Sequence, residues 1–173
     1  MPSQGPLFVG LGTNVAGGDT PWNNPNNISI AGISEASPSG FPIVTTDFLY
    51  GTHFGFSIPL DAAITAILIE IDRRSPNVNG ISDLSVKALK AGVPVGSELA
   101  VAGAWPGVAT FQSYGGNLLG TTWTAAQIND PNFGAYMQAQ DLQLFTEHAQ
   151  VSGMRITVSY TRSPFIGVIE TDA

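Results

Sequence analysis

Apolar and polar residues alternate with a period of two over much of this chain, the pattern of strands that bury one face. The cleanest run places Met154, Ile156, Val158 and Tyr160 against Arg155, Thr157, Ser159 and Thr161. Over Thr52–Ile58, Phe54, Phe56 and Ile58 alternate with His53, Gly55 and Ser57, and Pro59 ends the run. Ile64–Arg73 sets Ile67, Ile69 and Ile71 on one face, while the other begins apolar and ends with Glu70 and Asp72. That reads as a central strand. Its expected partner is Ser82–Lys90, with Leu84, Val86 and Ala88 opposite Asp83, Ser85 and Lys87. Asn79-Gly80, in the link Pro76–Gly80, predicts a hairpin between them. Phe133, Ala135, Met137 and Ala139 alternate with Gly134, Tyr136, Gln138 and Gln140. Shorter strands are expected near Ile28–Ile33, Glu98–Val101 and Val108–Tyr114, and Leu118–Trp123 follows Gly115-Gly116.

One helix signal interrupts the strands. Thr124 and Gln127 have capping-box spacing, and Asn129-Asp130-Pro131 stops the helix after barely two turns. Twenty glycines and twelve prolines leave no room for longer helices. The predicted fold class is all-β: a jelly-roll-type antiparallel β-sandwich with one short helix near 124–129. The chain divides into an N-terminal arm and loop (1–21), the sandwich (22–162) and a C-terminal tail (163–173).

Composition narrows the function. Hydrophobic residues make up 43% of the 173 positions, enough for a core, but charged residues only 11%, against roughly 25% in an ordinary domain. Six basic residues against thirteen acidic ones give −7, so no nucleic-acid partner is expected. Four of the cations (Arg73, Arg74, Lys87, Lys90) fall close together. They read as a solvated hairpin surface or a docking patch for an acidic partner. Without cysteine, disulfides and thiolate metal sites are excluded. The first residues lack a secretory pattern, which leads us to expect synthesis in the cytoplasm. Ala62–Ile71 is too short to span a bilayer and contains Glu70, so no membrane association is expected.

Candidate chemistry is sparse. His53 and His148 stand far apart, and no serine occupies a Gly-x-Ser-x-Gly elbow. Glu70 and Asp72, two apart on one strand, have the residue types for acid–base work or for a hard cation. Adjacent Arg73 and Arg74 make an exposed charged strand end the simpler account. No catalytic residue, cofactor site or metal site is expected, and the chain reads as a non-enzyme. Partner contacts are expected at apolar or aromatic positions outside the strands. These are Leu7, Phe8 and Val9 near the N-terminus, Trp22 and Trp105 in Pro-containing loops, and Phe165, Ile166, Val168 and Ile169 after Pro164. Trp123, beside the capped turn, is expected in the core. Trp22, Trp105 and Trp123, with Tyr114 and Tyr136, are the residues from which a stacking platform for a sugar or peptide would be built, the core reading being the stronger one for Trp123.

Several segments carry a resemblance. They are Thr52-His53-Phe54-Gly55-Phe56-Ser57-Ile58-Pro59, Ile67-Leu68-Ile69-Glu70-Ile71, Tyr114-Gly115-Gly116, Leu119-Gly120-Thr121-Thr122-Trp123-Thr124 through Ile128-Asn129, Asn132-Phe133-Gly134 and Arg155-Ile156-Thr157-Val158-Ser159-Tyr160. In this order the chain resembles structural proteins of tailed bacteriophages, over about Trp22 to Thr161. It departs at His53, where the resemblance implies Asn, in lacking a Trp near Leu119, and in a less regular stretch at Ala149–Gly153. The resemblance implies a jelly-roll protein on the outside of the virion capsid, similar to decoration (cement) proteins. The implied partners are a major capsid protein and further copies of the chain, commonly as a trimer. A tail or fibre module binding a host-surface glycan is the alternative, and a glycan-active enzyme a more distant one.

Overall fold

In the computed structural model, which describes residues 1–31, 35–38, 45–76, 80–141 and 148–162, the alternating segments become two antiparallel sheets packed face to face. The strands in chain order are β1 (Ser3–Phe8), β2 (Leu11–Val15), β3 (Trp22–Asn23), β4 (Ser37–Pro38), β5 (Phe48–Thr52), β6 (Ala63–Arg74), β7 (Ile81–Lys90), β8 (Val93–Val95), β9 (Thr110–Asn117), β10 (Gly134–Asp141) and β11 (Gln150–Thr161). A 3-10 turn spans Pro25–Ser29, and the helix α1 spans Ala125–Asn129. One sheet has the order β1-β11-β6-β9, the other β2-β5-β10-β7-β8, and β3 and β4 form a small ribbon. From β5 onward, each connection except β7–β8 crosses to the opposite sheet, the winding of a jelly roll.

The core lies between the sheets. Ile67, Ile69 and Ile71 of β6 and Met154, Ile156 and Val158 of β11 face Val86 and Ala88 of β7 and Ala135, Met137 and Ala139 of β10. At one end Phe54, Phe56, Phe133 and Trp123 pack with ring centroids 5.4 to 6.5 Å apart. Trp123 is therefore a core residue, as expected. The capping box also forms: Thr124 Oγ1 accepts from the Gln127 amide, and Gln127 Oε1 accepts from the Thr124 amide.

Several expectations change. The hairpin between β6 and β7 does not form, because the two strands belong to different sheets. β6 is paired on its two sides by β11 and β9, and β7 by β10 and β8, so neither has an edge left for the other. Most of the turn that suggested the hairpin, residues 77–79, lies outside the described residues. Residues 1–21, set apart from the sandwich above, supply a strand to each sheet: β1 pairs with β11 and β2 with β5. Beyond β1, Ala36 continues the edge by exchanging both backbone hydrogen bonds with Val151, at 2.8 and 3.1 Å.

Phe54, Phe56 and Ile58 are buried and His53, Gly55 and Ser57 exposed, yet this segment joins no ladder. His53 and Gly55 have φ of 60° and 75°, a left-handed geometry that a regular strand cannot hold. Side chains stand in for a partner strand. The Asn129 amide accepts from Ile58 N and donates to Ile58 O, at 2.7 and 2.8 Å, and Gln4 Oε1 accepts from Ser57 N at 2.9 Å. The Asn that the resemblance implied at position 53 is a residue type that tolerates this geometry. Ile28 belongs to the 3-10 turn started by Pro25, not to a strand. Leu118–Trp123 is a turn, with Leu119 and Gly120 at φ of 56° and 74°. Glu98–Val101 is irregular, organised by the Glu98 carboxylate.

The last difference is a bulge. On β7, Ser85 pairs with Gln138 and Asp83 with Ala139, leaving Leu84 as the extra residue. The alternation therefore changes phase at Leu84: Val86 and Ala88 face the core after it, and Ile81 and Asp83 before it. A bulge reverses the faces of all residues beyond it. Here it exposes a leucine and turns a carboxylate inward.

Asp83 is fully engaged there. Its Oδ1 accepts from Arg73 Nη1 and Trp105 Nε1, both at 2.8 Å, and its Oδ2 from Tyr114 Oη at 3.0 Å and Val101 N at 3.1 Å. Removing one partner of a buried ion pair leaves an uncompensated charge. Asp83→Ala is expected to lower unfolding free energy by about 3–5 kcal/mol, measured by urea denaturation. A loss under about 1 kcal/mol would show that the interior adapts without the carboxylate.

Candidate functional site

The residues suggested for chemistry or contact do not converge. Trp22 and Trp105 are 3% and 1% exposed. The indole of Trp22 donates to the Asp47 carbonyl at 2.8 Å, and that of Trp105 to Asp83. Both are core residues in this chain, because strand β3 and the loop before β9 each set an indole against a buried acceptor. Tyr114 is buried beside Asp83 and Arg73. Burial and the Asp83 charge push its phenol up, Arg73 partly opposing, so the hydroxyl stays a donor. Val9 is 2% exposed and Leu7 packs on the core, whereas Phe8 is 36% exposed on the outside of the sheet. Phe165, Ile166, Val168 and Ile169 lie outside the described residues.

Glu70 and Asp72 are engaged separately, Glu70 with Arg155 and Asp72 with Ser152 Oγ at 2.7 Å. The expected solvated strand end is instead covered, since Arg73 is buried against Asp83. The four clustered cations are dispersed. Arg74 pairs with Glu35 at 2.7 Å, Lys90 lies 4.8 Å from the Trp123 ring centroid, and Lys87 stands opposite Tyr136 on the other sheet. His53 is exposed, its Nδ1 3.0 Å from Thr52 Oγ1, and His148 is exposed on the far side of the sequence. Among the described residues, no three His, Cys, Asp or Glu side chains are grouped to hold a metal ion, and no helix is long and apolar enough to cross a membrane. A cleft of about 360 Å³ lies between Ser82, Gln140 and the loop 100–103. Asp83 borders it, but its carboxylate is already taken by four donors.

The outer face of the four-stranded sheet has a more distinctive arrangement. Strand pairing lines up Phe8, Arg155, Glu70 and Ser113 in one row, Thr157, Leu68 and Gly115 in the next, and Ser3, Ser159 and Ala66 in a third. These residues alternate with buried Ile67, Ile69, Ile156 and Val158, so they point away from the core. Arg155 and Glu70 form a two-pronged ion pair, Nε–Oε2 and Nη2–Oε1 both at 3.0 Å. The guanidinium also lies 3.9 Å from the Phe111 centroid and 6.0 Å from that of Phe8. The pair is partly shielded, with side-chain exposures of 26% and 15%. Held by a fork and two rings, Arg155 has little rotamer freedom left to lose on contact.

Around the Arg155–Glu70 pair this face carries Ser3, Ala66, Ser113, Gly115, Thr157 and Ser159, and the two charges of the pair cancel. On a chain carrying −7 overall, it is a surface on which another protein can sit without burying an unpaired charge. Interface centres share this composition: arginine and aromatic rings present, other charges scarce. Sequence alternation alone marks Arg155 and Glu70 as outward-facing. Their adjacency depends on the register between β11 and β6, which alternation does not carry.

A second aromatic group lies on the outside of the five-stranded sheet. Tyr50 and Tyr136 are stacked at 5.4 Å, Phe48 meets Tyr136 edge-on at 5.0 Å, and Leu11 and Val15 flank them on β2. Burial, and then its neighbour Tyr136, push the Tyr50 phenol up. Ser85 Oγ links Tyr136 Oη to Glu98 Oε2, at 2.8 and 2.7 Å.

Two carboxylates hold loops against the sandwich. Asp47 accepts from Asn14 Nδ2 at 2.8 Å and from the Gly17 and Gly18 amides at 3.0 Å. Glu98 Oε1 accepts from the amides of Val86, Leu99 and Ala100, at 2.6 to 3.0 Å. In both, burial opposes ionisation, but the hydrogen bonds together outweigh it and the pKa falls below its ordinary value. A lowered folded-state pKa contributes stability above the unfolded-state pKa and loses it as pH falls through the folded one. Urea unfolding should therefore show stability declining below about pH 4, with a shallower decline in Asp47→Asn. Equal slopes in the two proteins would remove Asp47 from this account. Comparisons of the chain with protein-family models, with curated proteins and with solved structures returned no match.

Proposed function

We propose that this protein is a structural component of a bacteriophage particle, docked on the outside of the capsid as a decoration protein. The observation that carries the reading is the charge-balanced outer face of the four-stranded sheet, centred on Arg155, Glu70, Phe8 and Phe111. Jelly rolls recur among viral capsid domains, and the resemblance in sequence points the same way. The mechanism is linkage. A protein that binds only the assembled shell stabilises it by mass action, and neighbouring sites reinforce one another when one molecule bridges them. The partner is a major capsid protein.

A second reading, a tail or fibre module that binds a host-surface glycan, rests on the half-exposed rings of Tyr50 and Phe48, which pack on Tyr136, itself 5% exposed. Binding on a glycan array that is lost in Tyr50→Ala would support it over the first.

The decisive measurement is copy number. Purified particles from the phage encoding this chain should show it at hundreds of copies on a denaturing gel; a handful would place it in the tail, and absence would end both readings. Thr157→Lys sets an unpaired cation in the middle of the face. It is expected to reduce particle occupancy at least about tenfold while leaving urea stability within about 0.5 kcal/mol of the parent. Unchanged occupancy would show that another surface docks.

A further inference from the structure

A sandwich of two open sheets has four edge strands, each a template for adding another strand unless it is blocked. Three of the four are blocked here. In β1 the register breaks between Gln4 and Leu7, Gly5 has a φ of 114°, and Pro6 has no amide to donate. In β2 the Gly12 amide donates to Asn26 Oδ1 at 3.0 Å, and Gly12 lies so close to the Pro25 carbonyl that the 3-10 turn caps the strand. β8 is three residues long and contains Pro94.

β9 also shifts register, at Gly116 where Gly115 and Gly116 have φ of 85° and 89°, but its stretch Thr110–Tyr114 has none of these devices. Its register against β6 runs unbroken from Thr110 to Gly115, opposite Arg73 to Leu68. It contains no proline and no Asp, Glu, Lys or Arg. Thr110 and Ser113 are exposed, and Phe111 and Gln112 half-buried. We propose that β9 pairs with the β9 of a second copy of this chain, antiparallel, joining two four-stranded sheets into one of eight strands.

Charge favours a second copy as the occupant. Two chains each carrying −7 repel unless they meet where acids are absent or paired. β9 has none; on the adjoining strand Glu70, opposite Ser113, is paired with Arg155, and Asp72, opposite Phe111, is buried and accepts from Ser152 Oγ. Geometry agrees. A two-fold axis makes a strand meet itself antiparallel and needs only one surface. The joined sheet would also carry the Phe111 side of the docking face continuously across the axis. The pairing does not depend on capsid binding, so either can fail alone.

The test uses the absence of native cysteine. Sedimentation of the full chain up to about 100 µM should give twice the monomer mass of 18.1 kDa. Single substitutions Thr110→Cys, Phe111→Cys and Ser113→Cys should include at least one that forms a disulfide-linked dimer about tenfold faster than Val93→Cys on β8. A monomer throughout the concentration series would overturn the proposal. So would a trimer, since a two-fold ladder closes at two, or cross-linking no faster on β9 than on β8.

Discussion

The two sheets are tied together by one buried carboxylate. Asp83 sits on β7 of the five-stranded sheet, but two of its four donors, Arg73 and Tyr114, belong to β6 and β9 of the other. The remaining two, Trp105 and Val101, come from the long connection between β8 and β9. The set also draws Gln112, which accepts from Arg73 Nη2 at 3.2 Å. Buried charges are expensive unless paired and hydrogen-bonded, so this cluster fixes the sheets' alignment more narrowly than aliphatic contacts, which slide at little cost. A one-residue bulge at Leu84 makes it possible.

Much of this architecture is written in local pattern. β6, β10 and β11 follow from period-two alternation, and α1 from its capping box, since both signals depend on neighbours along the chain. Failures occur where a distant partner decides. The Leu84 bulge is defined by what β10 offers across the ladder, and its phase change makes Asp83 look solvent-facing when it is not. Trp22, in the short strand β3, and Trp105, in a loop, lie beside prolines that suggest exposure, but Asp47 and Asp83 offer buried acceptors for their indoles. His53–Ile58 alternates correctly yet lacks a ladder, because two left-handed residues break it and side chains take over its hydrogen bonds.

The same limit applies to the candidate site. Outward positions of Arg155 and Glu70 are legible, as is the low overall charge. That they meet in a fork, with the guanidinium over Phe111 and near Phe8, is a property of register across three strand pairs. The surface thereby separates two tasks: unpaired acids elsewhere maintain repulsion between copies, while one face is neutral and pre-ordered for contact. A low charge density is thus arranged in space as well as reduced in number.

Pairing of β1 with β11 has a consequence for how the molecule is made. Ser3 lies opposite Ser159, so the four-stranded sheet cannot close until β11 has left the ribosome. Until then the apolar faces of β6 and β10 lack their cover. Contacts this remote in sequence slow folding and lengthen exposure to aggregation. The sandwich is completed only once its last strand has been made, and its yield in a cell depends on how long the growing chain can be kept from its neighbours.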